Sequence, residues 1–212
     1  NHWGLPLSLA RLPADAEFGV FEMGMSAPGE ISTLSVMAKP HAAIITTVAE
    51  VHAKFFDSLE QIADAKAEIF EGLDAAGAAV LYRDHALFDR LKDHARRHGI
   101  QSIIGFGESE EATARLVSCD LTETNSIVEA VIGGQRVGYT IGAPGKHVVI
   151  NSLAVLAAVN ALLRVDQACL VLLLQLASVA AAAPTIRKVF IVFSNHFDAG
   201  YTEQSSDLAG TT

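Results

Sequence analysis

Three side chains that could share one task stand in three successive segments: Glu22 in "FEMG", His52 in "VAEVHAKFF" and Lys66 in "QIADAKAEIFEGL". A carboxylate within an apolar run is costly to bury unless it is paired, protonated or bound to a metal. Lys66 is the oddest of the three. On a helix advancing about 100° per residue, Leu59, Ile62, Ala63, Ile69, Phe70 and Leu73 form one stripe, with Glu60, Asp64, Glu68 and Glu71 opposite. Lys66 falls in the apolar stripe. Each residue has an ordinary reading: Glu22 paired with an arginine or standing on an exposed edge, His52 packed, Lys66 laying its stem along the core with its head in water. The other reading is a single polar site built by all three, whose chemistry the residue types alone do not name.

The elements that must position them alternate between two periods. "EFGVFEMG", "HAAIITTV", "AAVLYRD" and "SIIGFG" read as strands, and "GEISTLSVM", 58–73 and "HALFDRLKDHARRHG" as helices. Short continuous apolar runs between amphipathic helices predict βαβ units and a parallel sheet covered on both faces. Ligands bind such sheets at the carboxyl ends of the strands. Glu22 ends the first strand, and Thr46, Thr47, Glu50 and His52 follow the second. After Glu108 the pattern becomes antiparallel, with Gly133-Gly134 as a hairpin turn. A helix begins near Lys146. The expected fold is α/β, mostly parallel with flanking helices, plus a small antiparallel β appendage.

The chain has 212 residues, half of them hydrophobic, with 15 Lys and Arg against 24 Asp and Glu and a net charge of −9. That balance argues against a nucleic-acid surface. Cys119 and Cys169 lie far apart and outside any CxxC spacing, which suits a reducing cytosol rather than a disulfide framework or thiolate zinc site. "NHWGLPLSLARLP" has no basic region of the secretory type. The run "ACLVLLLQLASVAAAA" is shorter than the roughly 20 apolar residues of a membrane span and contains Gln175, so a buried helix is expected instead.

"FEMGMSAPGEI", "ITTVAEVHAKFFDSLEQIADAKAEIF" and "NHWGLPLSLARL" together resemble the central ATP-binding domain of the Mur ligase family. The resemblance covers roughly residues 1–160 and decays beyond Leu163. It implies a partial P-loop NTPase-like domain over 1–163 and a divergent tail, 164–212, without an assignable domain. It further implies ATP and Mg²⁺ as cofactors, and carbamylation of Lys66 by CO₂ into an anionic metal ligand. Glu22 and His52 would be the other metal ligands. Asn151, in "IGAPGKHVVIN", would lie near the ATP base, with Val148 replacing the preceding family asparagine; Asn1 and His2 would lie near the nucleotide. The implied reaction, in the cytoplasm, is the joining of D-alanyl-D-alanine to UDP-N-acetylmuramoyl-tripeptide through an acyl phosphate. Other ligases of this superfamily, folylpolyglutamate synthase among them, and a non-catalytic α/β domain are the competing readings. No GxxxxGK[ST] occurs in the 212 residues. Without that phosphate cradle the chain alone is expected to be inactive.

Overall fold

The computed structural model describes residues 3–49, 56–163 and 189–194. Its centre is one eight-stranded sheet in the order β1-β8-β2-β3-β4-β5-β6-β7. The parallel part consists of β1 (Phe18–Glu22), β8 (Val189–Ser194), β2 (Ala42–Ile45), β3 (Ala78–Tyr82) and β4 (Ser102–Gly107). β2 shows why the apolar runs are continuous. Ala43 and Ile45 enter one core with Leu81 and Ile69, while Ala42 and Ile44 enter a second core with Val80 and Leu153 on the other face.

The first core is covered by α1 (Gly4–Arg11), α2 (Glu30–Ala38), α3 (Leu59–Ala67) and α4 (Phe88–Arg97), and the second by α5 (Lys146–Leu163). α4 ends as its sequence predicts, with Gly99 at φ 82° and Arg96 and Arg97 in the last turn. β5 (Ala114–Leu121), β6 (Ser126–Ile132) and β7 (Gln135–Ile141) are antiparallel to one another, but β5 pairs in parallel with β4. The antiparallel strands therefore prolong the main sheet. Gly133 and Gly134 both have positive φ, as the two-residue β6–β7 turn requires.

The helix expected over 58–73 divides in two. Ser58 caps α3 by accepting the Gln61 N–H, and after Ala67 the chain tightens into a 3-10 turn, Glu68–Glu71. The turn is fastened to α2. The buried Ser35 hydroxyl donates to the Ile69 carbonyl at 2.5 Å and accepts the Gly72 N–H at 3.2 Å. Ser35→Ala leaves that N–H and carbonyl without their partner, an expected loss of about 1–3 kcal/mol. Chemical denaturation with an unchanged m-value checks it.

β8 was not foreseen. It lies between β1 and β2, pairing Glu22 with Phe193 and Ile45 with Ser194, so the carboxyl ends of the three strands are level. The apolar run 168–183 lies outside the described residues; among those described, no helix is long and apolar enough to cross a membrane.

Candidate active site

Glu22 is the last residue of β1 and exposed, while its neighbours Phe21 and Met23 point into the first core. The alternation of the strand thus delivers the carboxylate to the sheet rim. Thr46, buried, and Thr47, exposed, follow β2 on the same rim, two strand positions away or about 10 Å at ordinary strand spacing.

Lys66 lies in the last turn of α3 and is 7% exposed, so its side chain does not run out to water along the core. Burial pulls its ammonium down to about 8, and the charge of Glu22 opposes the shift. The strand-end acid and the helical lysine are therefore close enough to act on one another, as the spacing of their segments suggested. At pH 7 a lysine of that pKa is a free amine about one tenth of the time, against about three parts in ten thousand for an ordinary lysine. A free amine is the form that reacts with carbon dioxide.

Two sets of contacts hold Lys66 in place. Toward α4, Asp64 accepts two bonds from Arg90 at 2.6 Å each and one from His94 at 2.9 Å, and the Arg90 guanidinium keeps the Asp64 carboxyl below the usual range. Toward α2, Glu68 accepts the N–H groups of Gly29 and Ser32 at 2.7 and 3.1 Å, and Glu71 accepts the Ser32 hydroxyl. Acids that read as a solvated stripe thus cap the N-terminus of a neighbouring helix. Only the α2 partner explains them.

His85, just beyond β3, is a further residue that sequence reasoning missed. The Leu87 N–H donates to its Nδ1, which leaves Nε2–H to donate to the Val48 carbonyl at 2.9 Å. That bond fixes Val48, three residues beyond the end of β2. A histidine in "YRDHALF" carries no signal of this contact, which depends on two parallel strands being neighbours.

His52, Glu50, Asn1 and His2 lie outside the described residues. Asn151 is half-buried in α5, on the opposite layer of the sheet from Lys66. Lys146, at the start of α5, is paired with Glu108 at 2.7 Å. Among the described residues no three His, Cys, Asp or Glu side chains converge as a metal site. Glu22 and Lys66 are the described members of the expected set. The pair suits a hard divalent ion only with Lys66 in an oxygen-donating form.

This pairing, on a parallel sheet prolonged by antiparallel strands, coincides with a family match. The Mur ligase middle domain model matches residues 1–159, and the chain belongs to that family. Among individual relatives, the UDP-N-acetylmuramoyl-tripeptide–D-alanyl-D-alanine ligase of Rickettsia prowazekii is 32% identical over 162 residues, covering 76% of this chain and 36% of the relative. The ligase of the same name from Bacillus subtilis is 35% identical over 158 residues, covering 74% and 33%. The chain thus spans about a third of the length of these curated relatives. In fold it is similar to MurF from Acinetobacter baumannii, with TM-score 0.73 at 23% identity over 84% of this chain and 38% of that one. It also resembles Thermotoga maritima MurF in complex with ADP, with TM-score 0.58 at 22% identity over 74% and 34%.

Proposed function

We propose that this chain is the nucleotide-handling part of an ATP-dependent ligase that joins D-alanyl-D-alanine to UDP-N-acetylmuramoyl-tripeptide in peptidoglycan precursor synthesis. The observation that carries the reading is the buried Lys66 facing the exposed carboxylate of Glu22 at a strand end. The names of the relatives at 32% and 35% identity supply the substrates.

In the reaction, a carboxylate of the tripeptide attacks the γ-phosphorus of ATP, the bond to ADP breaks, and an acyl phosphate forms. The amine of the dipeptide attacks the acyl carbon, phosphate leaves, and the amine proton is released. Such chemistry is mainly positioning and charge neutralisation. The neutral Lys66 amine adds to carbon dioxide, forming an N–C bond and releasing a proton, and so replaces a buried cation with an anion. Glu22, carbamylated Lys66 and His52 would hold magnesium, which when bound neutralises phosphate charge. Asn151, Asn1 and His2 would face the nucleotide. α3 holds the carbamate by its ties to α2 and α4.

Carbon-13 NMR of the chain in labelled bicarbonate tests the site. The expected result is a carbamate carbon signal that strengthens with Mg²⁺ and is absent in Lys66→Met. No such signal up to pH 8.5 would rule out the metal-ligand role. The substrates are tested by placing residues 1–159 in the matched segment of the Bacillus subtilis relative. Phosphate release should require both the tripeptide nucleotide and D-alanyl-D-alanine; equal release with single amino acids would point to another ligase of the family.

A further inference from the structure

On the outer flank of α4, away from the Lys66 site, the chain gathers cations although its net charge is −9. A cleft of about 310 Å³ is lined by Arg83, Phe88, Lys92, Arg96, Gly105 and Glu111, among others. Phe88, Lys92 and Arg96 are spaced four apart on α4, so they form one stripe with about 6 Å of rise between neighbours. The residues tied to Asp64 of α3 are a different pair, Arg90 and His94.

Arg83 enters from the end of β3. Its stem lies across Gly105, where an added Cβ would stand 3.2 Å from the Arg83 Cβ. The guanidinium sits 4.6 Å from the centre of the Phe88 ring, and the Lys92 ammonium 5.8 Å from it. A short backbone clamp holds the facing wall, since Asp84 accepts the N–H groups of Glu108 and Ser109 at 2.6 and 2.9 Å.

The ion pairs here are lopsided. Arg83 is 27% exposed and its partner Glu111 71%; Lys92 is 30% exposed and its partner Asp89, at 3.5 Å, 80%. The cations are seated by packing and the acids stand in solvent, where they contribute little and can be displaced. Arg96, in the last turn, also answers the helix dipole, but Arg83 and Lys92 have no such duty.

We infer that this cleft binds an oligoanion, a small molecule with at least two phosphate or carboxylate groups, which takes over Arg83 and Lys92 from Glu111 and Asp89, with Arg96 one helical turn further on. The inference does not depend on the Lys66 site. Its test is titration of the nitrogen-15-labelled chain with tripolyphosphate, and separately with triglutamate, without divalent cations. Amide shifts are expected at Gly105, Gln101 and Glu111, weakening as salt rises. The tighter of the two probes identifies the source as phosphate or carboxylate.

Arg83→Gln together with Lys92→Gln should reduce affinity at least tenfold. Glu111→Gln, which removes the competing acid without disturbing a seated residue, should increase it several-fold. Shifts confined to other surfaces, or Glu111→Gln binding no tighter than the parent chain, would overturn the proposal, and so would a folded double variant that binds equally well.

Discussion

Lys66→Met is expected to stabilise the chain at pH 7 in carbon-dioxide-free buffer, by about 1–3 kcal/mol. The native pKa of Lys66, about 8, lies below the unfolded value of 10.5. Below pH 8 both states carry the proton, and the native state bears the net cost by which burial outweighs the favourable charge of Glu22. Between pH 8 and 10.5 the native state releases its proton first, so stability rises with pH; above 10.5 the penalty is gone. A shift of this size corresponds to about 3 kcal/mol. Methionine replaces the apolar stem, one atom shorter than lysine, and removes the charge.

Urea melts from pH 7 to 11 should therefore show a rising stability for the parent chain that is absent in the variant. Destabilisation of more than about 1 kcal/mol at pH 7 would mean that the ammonium is better compensated than its burial implies. A protein that keeps so costly a cation gives up stability at that position. The pattern is common where a strained group serves a reaction.

Gly72→Ala should have the opposite and larger effect, a loss of more than about 3 kcal/mol. An added Cβ would stand 2.0 Å from the Ser35 carbonyl oxygen and 2.5 Å from the Val36 nitrogen, both backbone atoms that cannot rotate aside. The backbone of Gly72, at φ −96°, is open to any residue, so the demand is for space alone. Relief requires α2 to withdraw from the 3-10 turn, breaking the Ser35 bonds and the Glu68 cap together. Thermal unfolding measures the loss, and faster exchange of the Gly72 and Ser32 amides would localise it. A melting temperature within a degree or two of the parent would contradict the tight packing at this point.

How much of this was legible in sequence depended on whether the deciding contact was local. The strands of the parallel sheet were legible because residues such as Ala43 and Ile44 face opposite cores, leaving no polar side to the run. Lys66 was legible because a single ammonium in an apolar stripe is conspicuous. α1 was not singled out: it is short, and Pro6 falls in its first turn, where a proline is tolerated but gives little periodicity to read. Glu68, Glu71 and His85 were opaque for another reason. Their partners, Gly29, Ser32 and Val48, are brought to them by helix packing and strand order, which no local pattern encodes. β8 was hidden in the same way, because a six-residue apolar run does not announce which gap in a sheet it fills.

The position of β8 also bears on the order of assembly. Glu22 and the residues after β2 are neighbours only across a strand made about 170 residues after Glu22. During synthesis, the rim that presents the acid and the threonines stays open while helices and hairpins nearby can already form. Closing it is among the last and slowest steps, and a single proline within 190–193 would leave the two halves of that rim unjoined.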